Sequence, residues 1–293
     1  MSGVFDRRVV RRRFARAADR YAALAVLQRE VEARLIERVA EAGLAPAVVL
    51  DVGSGPGGGT AALRRQFRGA RVVALDLAVP MLRKARAAAG FWRTIPAVCG
   101  DAAHLPLRDR SVDLLFSSLC LQWLDDVPAV FAGFARVLRP GGRLFVSTFG
   151  PDTLHELRDA WQQADGRAHV SAFAPMAVLG DALMAQGYRD PVLDRDLFTL
   201  TYPDVDGLLA ELRGIGAANA RSDRARGLAG RHAWQRMRDA YGNVRDDEGR
   251  YPATYEVIYL QATAPPDGQP RRSDGGEIAT IPVSAIKRQP PRR

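Results

Sequence analysis

The run Val48-Val49-Leu50-Asp51-Val52-Gly53-Ser54-Gly55-Pro56-Gly57-Gly58-Gly59-Thr60 constrains this chain more than any other stretch. Four β-favouring apolar residues around a single acid have the pattern of a strand buried on both faces. The strand breaks directly into glycines, where backbone can pass close to a ligand with no Cβ in the way. Pro56 stands just before an Ala-Ala-Leu-Arg run that can open a helix, and the first amides of that helix would face the same ligand. The run therefore reads as a cofactor loop.

Two templates fit it. Gly53-x-Gly55-x-x-Gly58 matches a dinucleotide fingerprint, and Asp51-x-Gly53-x-Gly55-x-Gly57 matches the loop of S-adenosylmethionine enzymes. The next acids separate them: Asp76 closes a second apolar run and Asp101 follows a third, each 25 residues after the last. Short apolar runs at Val48–Val52, Arg71–Asp76, Ala97–Gly100, Val112–Ser118 and Arg143–Thr148 alternate with helical stretches at about 58–67, 79–89 and 128–138. Leu138 to Gly142 reads as the turn before the fifth strand. That rhythm predicts an α/β fold with a doubly wound, Rossmann-like parallel sheet and ligands at the carboxyl ends of its strands. Asp76 is then placed for ribose hydroxyls, and Asp101 with Ala102 for an adenine edge. Asp51 can hold the amino group of a methionine moiety, directly or through water. A dinucleotide needs no acid at Asp101, which favours the sulfonium cofactor; a dehydrogenase stays as a minor alternative.

Residues around this core have other signatures. From Phe5 to about Ala42 apolar residues recur three or four apart, predicting two helices closed by Gly43 and Pro46. Pro151–Trp161 and Ala174–Gln186 read as helices with loop between them, and late strands are expected at about 191–202 and 253–263. The domain reading is an N-terminal helical lid over 1–46, a cofactor-binding α/β domain over 47–263 with a late antiparallel strand, and a helical insertion over 203–250 as substrate cover. Pro, Gly and Arg dominate after Ala264, which predicts a disordered tail over 264–293.

The net charge of +9 is uneven: residues 1–20 hold seven Arg against Asp6 and Asp19, and the last thirty residues hold six basic against three acidic. Little is left for the middle, and the tail lacks the aromatic-basic alternation of a nucleic-acid platform, so no nucleic-acid partner is expected. A basic binding protein on an inactive core of this fold is the competing class, and the intact acids argue against it. With no run of about 18 apolar residues and no secretory h-region, a cytoplasmic protein without a membrane partner is expected. Cys99 and Cys120 have no metal-ligand spacing and sit in apolar contexts, so both are expected as buried free thiols, with no metal.

Residues 47–148 resemble the class I S-adenosylmethionine-dependent methyltransferases. The chain as a whole resembles one family within them, the malonyl-acyl-carrier-protein O-methyltransferases of biotin synthesis. The resemblance is carried by Ala25 to Val31, by Ser118-Leu119-Cys120-Leu121-Gln122-Trp123, and above all by Phe149-Gly150-Pro151-Asp152-Thr153-Leu154-His155-Glu156-Leu157 through Trp161. His169-Val170-Ser171, Gly180 to Leu183, Ile215 to Ala220 and Pro252-Ala253-Thr254-Tyr255-Glu256-Val257 add to it. Ser171 stands where that family is expected to carry Asn, and Ser54 where Cys is common.

The resemblance implies methylation of the free carboxylate of a malonyl thioester on an acyl-carrier protein, or on coenzyme A; separately, a monomer is expected. Another small carboxylate or a phenol is the alternative acceptor. The expected cofactor set is Asp51, Gly53, Ser54, Gly55, Gly57, Asp76, Leu77, Asp101, Ala102 and Ser117. A carboxylate with a pKa of about 4 is already ionised, so no general base is needed and positioning carries the catalysis. Tyr21, Gln122 and Trp123 are expected to position, while His155, Arg158 and Arg213 are the candidates to hold the acceptor carboxylate. Arg221, Arg224, Arg226, Arg231, Arg236 and Arg238 could steer an acidic carrier protein.

Overall fold

The computed structural model describes residues 5–89, 94–220, 222 and 230–266, with the backbone of two short strands beyond. Helices α1 (Arg7–Leu24) and α2 (Val26–Glu41) come first. Asp6 caps α1 by accepting from the amides of Arg8 and Val9, and Gly43 closes the pair at φ +60°. The core follows as β1 (Val48–Val52), α3 (Gly58–Gln66), β2 (Arg71–Asp76), α4 (Val79–Ala88), β3 (Ala97–Cys99), β4 (Val112–Ser118), α5 (Val127–Val137) and β5 (Leu138–Phe149). Then come α6 (His155–Asp165), α7 (Met176–Ala185), β6 (Arg189–Tyr202), α8 (Val205–Gly214), α9 (Arg231–Gly242) and β7 (Tyr251–Thr263).

Seven strands form one sheet in the order β3-β2-β1-β4-β5-β7-β6. The first five are parallel, and β7 lies antiparallel between β5 and β6. Because the chain order reverses at β1, loops after β1, β2 and β4 meet at one sheet edge, which is where such sheets bind ligands. Helices cover both faces. On one, Leu27, Val31, Leu35 and Val39 of α2 interdigitate with Val49, Leu114 and Phe145 of the sheet and with Trp161 and Leu208. On the other, Phe131 and Phe134 of α5 meet Leu183 of α7 over Leu50, Leu115 and Val146. Val31, Leu35 and Val39 are completely buried, each worth about 1.5–3 kcal/mol relative to exposure.

Several boundaries differ from the sequence reading. Strand β5 begins at Leu138, not Arg143: Leu138 pairs with Val112 before a register shift that accommodates Gly141 at φ +75°. Helix α6 starts at His155, not Pro151, because residues 150–154 form a turn locked to β7. Cys99 is exposed rather than buried, and Cys120 is partly buried beside the glycine loop. In the tail expected to be disordered, β8 (Arg271–Ser273) pairs with β9 (Gly276–Ile278); residues 267–270, 274–275 and 279–293 lie outside the described residues.

Candidate functional site

The glycine loop is built as its sequence requires. Gly53, Gly55 and Gly57 all take positive φ, at +74°, +52° and +93°. A Cβ on Gly53 would lie 2.6 Å from the Cys120 side chain, and one on Gly57 2.6 Å from Ala85. Gly55 has nothing within 4 Å in that direction, so its open side faces a cavity of about 80 Å³. Asp76 at the end of β2 accepts from the amides of Gly55 (2.9 Å) and Ala78 (2.7 Å), which ties the loop to the neighbouring strand. With Gly53, Leu77, Asp101 and Ala102 it lines this cavity, while Tyr21 and Phe14 of α1 close it. The register pairs Asp51 with Ala74 and Asp76 with Cys99, so the three acids are staggered by two residues from one strand to the next rather than standing side by side.

Asp51, Ser54, Gly57 and Ser117 do not line the cavity. Asp51 is 2% exposed and accepts from the Thr60 hydroxyl at 2.5 Å, so its side chain braces the loop from beneath. Burial pushes its pKa up to about 8 against the pull of Thr60, with Glu32 and Asp76 adding repulsion. Ser117 donates to the Val52 carbonyl at 2.9 Å, locking β4 to β1. Ser54 is buried with its hydroxyl lacking a partner among the described residues. Glu32, which the sequence reading missed, reaches from α2 to the Gly59 amide. Burial raises its pKa to about 7 against the pull of that amide. Its carboxylate fills the space a Cβ on Gly58 would need.

The N-terminal helices engage this edge directly. Arg7 pairs with Asp101 at 3.0 Å, and Lys84 of α4 with Asp19 at 2.6 Å. Burial, then the charges of Glu32 and Asp76, push the Tyr21 phenol well above its ordinary pKa, so it remains a neutral hydrogen-bond donor.

Trp123 lines the small cavity and also a second one of about 330 Å³. Phe14 and Phe5 meet its ring edge-on at 5.4 and 5.8 Å. Gln122 lines the larger cavity, with its amide nitrogen on the Leu119 carbonyl at 2.8 Å. Arg213 lines it from the end of α8. Arg13, Gln28 and His169 also line it; none of these was chosen from the sequence, although Gln28 and His169 fall in motifs that carry the resemblance. The Gln28 side-chain oxygen is buried with no partner among the described residues.

His155 and Arg158 are placed elsewhere, and this corrects the sequence reading. His155 is exposed at the start of α6, with its ring on the Asp152 carbonyl, and lines neither cavity. The Arg158 guanidinium donates to the carbonyls of Pro151 (2.8 Å) and Thr153 (2.7 Å), so it is consumed inside the protein. It belongs to an interlock between the turn at 150–154 and β7. Thr153 Oγ1 donates to the Glu256 carbonyl and accepts from its amide; Leu154 N–H donates to Thr254, and the Thr254 N–H and hydroxyl donate to buried Glu156. Glu256 closes the set by accepting from Asp152 at 2.9 Å.

Among the arginines read as carrier-steering, Arg236 caps the Ala164 carbonyl through Nε at 2.8 Å and Arg238 pairs with Asp206 at 2.7 Å. Arg231 is exposed; Arg221, Arg224 and Arg226 lie outside the described residues.

A family model described as a methyltransferase domain matches residues 50–146. A malonyl-acyl-carrier-protein O-methyltransferase from Xylella fastidiosa (strain M23) is 48% identical, over 98% of this chain and 97% of the relative. The chain belongs to the malonyl-acyl-carrier-protein O-methyltransferase family. A relative of the same name from Halorhodospira halophila is 43% identical over 97% of this chain and 96% of its own. Among solved structures, the YcgJ protein of Bacillus subtilis superposes with a TM-score of 0.58 at 15% identity, covering 79% of this chain and 98% of its own, a likeness of fold. The cofactor of this methyltransferase family is S-adenosylmethionine. The open face of Gly55 and the carboxylates of Asp76 and Asp101 around the cavity fit a ligand with a ribose and an adenine.

Proposed function

We propose that this chain methylates the free carboxylate of a malonyl thioester on an acyl-carrier protein, an opening step toward biotin. The observation that carries this reading is the pair of cavities meeting at Trp123, one floored by the glycine loop and the other lined by Arg13, Arg213, Gln28 and Gln122 within apolar walls.

When bound, S-adenosylmethionine supplies an electrophilic sulfonium methyl group. Gly53, Gly55, Asp76, Leu77, Asp101, Ala102 and Tyr21 would hold it, with Asp51 bracing the loop from below. An unpaired buried carboxylate is costly, so an acceptor of this class needs cationic partners, and Arg213 and Arg13 suit that need. Gln122 and Trp123, beside the junction, align the acceptor, and the acid–base steps are absent because the attacking oxygen is already ionised. Helices α1 and α2 would act as the lid, and residues 203–250 as the cover over the acceptor cavity.

Transfer of labelled methyl from S-adenosylmethionine to malonyl-acyl-carrier protein tests the reading, with a succinyl thioester as control. Strong transfer to malonyl and little to succinyl is expected. No transfer to malonyl, or equal transfer to both, removes the specific acceptor and leaves the methyltransferase.

A further inference from the structure

His169 is the cavity residue whose surroundings are most fully specified and whose role the reading above leaves unassigned. It lies in the segment between α6 and α7 and lines the acceptor cavity. Its Nε2 sits 3.1 and 3.0 Å from the two carboxylate oxygens of Asp165. An ionised carboxylate only accepts hydrogen bonds, so Nε2 carries a proton and Nδ1 is the ring nitrogen left for a ligand. The ring also stacks on Trp161, with centroids 3.7 Å apart and planes 15° from parallel. Trp161 in turn meets Trp234 of α9 edge-on at 5.0 Å.

The segment itself is pinned from three directions. Asp165 accepts the Arg167 amide at 3.0 Å, Arg236 of α9 holds the Ala164 carbonyl, and Asn219 donates to the Ala168 carbonyl at 3.2 Å. An imidazole held by a hydrogen bond on one side and an indole on its face has few rotamers left, and a polar group so restrained in a ligand cavity is preorganised. Asp165 holds the Nε2–H and so orients the ring, as carboxylates do for functional histidines.

We propose that His169, oriented by Asp165 and Trp161, is an acceptor-binding residue that, with both ring nitrogens protonated, donates Nδ1–H to an oxygen of the carboxylated acyl thioester. This rests on the acceptor reading given above. It assigns the acceptor three nitrogen-bearing partners, Arg213, Arg13 and His169, contributed by α8, α1 and the α6–α7 segment. Pocket walls from three separated stretches of chain give specificity for acceptor length, because only one spacing of oxygens meets all of them.

The experiment compares His169→Phe, which keeps the stacked ring and removes both nitrogens, with His169→Gln, which keeps a polar group. To avoid stranding a carboxylate, the first is also made together with Asp165→Asn. Wild type is first assayed on malonyl-acyl-carrier protein; failure there ends the acceptor reading and this inference with it. If wild type turns over, His169→Phe should raise KM for malonyl-acyl-carrier protein about 10-fold or more, in line with one lost charge-assisted hydrogen bond. S-adenosylmethionine affinity by calorimetry should stay at the wild-type value, and His169→Gln should recover part of the loss. Packing alone predicts the reverse pattern, with Phe tolerated. Wild-type KM in His169→Phe, alone or with Asp165→Asn, overturns the inference while leaving the acceptor reading standing. An equal loss of acceptor and donor binding also overturns it.

Discussion

The donor half and the acceptor half of this protein are assembled on opposite principles. Residues 48–118 make most of the donor site from turns at the ends of neighbouring parallel strands, and α1 closes it through Phe14, Tyr21 and the Arg7–Asp101 pair. The acceptor cavity draws on α1, α2, the segments after β4 and β5, α6, α8 and α9, brought together by the late strands. Local construction makes the first site legible and rigid through backbone; the second depends on side chains that meet across more than a hundred residues. Substitutions should separate the halves cleanly if that division is real.

The largest effect is expected at Gly53. Its φ of +74° disfavours any Cβ, and the added atom would lie 2.6 Å from Cys120, which belongs to the segment shared by the two cavities. Gly53→Ala should weaken S-adenosylmethionine binding by about 100-fold, the equivalent of about 2–3 kcal/mol of backbone strain and displacement. Calorimetric titration of the cofactor measures it, and near-wild-type affinity would break the claim that backbone geometry governs this half. Arg213→Ala should act on the other side. Loss of one charged hydrogen bond lowers kcat/KM for the malonyl thioester about 30-fold while the donor affinity holds.

This division also explains what could be read from the chain alone. Asp51, Asp76 and Asp101 were legible because a repeating strand-helix unit returns each strand end to the same edge, so equal spacing brings each acid close to a strand end, staggered by two residues from strand to strand. Even there, spacing did not reveal that Asp51 faces Thr60 rather than the cavity, since strand alternation gives a face but not a partner. His155 and Arg158 are candidates because they follow the fifth strand, but a position past a strand end does not fix where a side chain goes: residues 150–154 pair with β7, and Arg158 is spent on the carbonyls of that turn. The signal was present in another form. The two motifs around 149–161 and 252–257 both carried the family resemblance, and their interlock across a hundred residues is the physical reason they belong together. No single-chain pattern announces such a pairing.

The interlock offers a smaller perturbation. Thr153 is 1% exposed, and its hydroxyl both donates to and accepts from the Glu256 backbone at 3.0 and 3.1 Å. Thr153→Ala strands that buried amide, costing about 1.5 kcal/mol and lowering Tm by about 4 °C. Because Thr153 and Leu154 line the acceptor cavity, KM for the thioester should rise as well. A stability loss with equal damage to donor binding would show that the halves are not independent.

The smallest effect concerns pH and has opposite signs in the two halves. Burial raises Glu32 to about 7 despite the Gly59 amide, and Asp51 to about 8 despite the Thr60 hydroxyl. In the unfolded chain both ionise near 4, so between those values the folded state binds more protons. Their contribution to stability is complete below about pH 4 and is lost as pH rises through about 7 to 8. Asp165 goes the other way: burial opposes ionisation, but the hydrogen bond from His169 and the Arg167 amide outweigh it and lower its pKa. Its contribution is present above the unfolded value and lost on acidification. Glu32→Gln removes the titrating proton from the donor half alone, so urea melts should match wild type near pH 5 and gain about 1 kcal/mol near pH 8.5. If the variant were instead less stable at pH 8.5, the ionised Glu32 would be stabilising, and its hydrogen bond to Gly59 rather than its burial would govern how α2 grips the glycine loop.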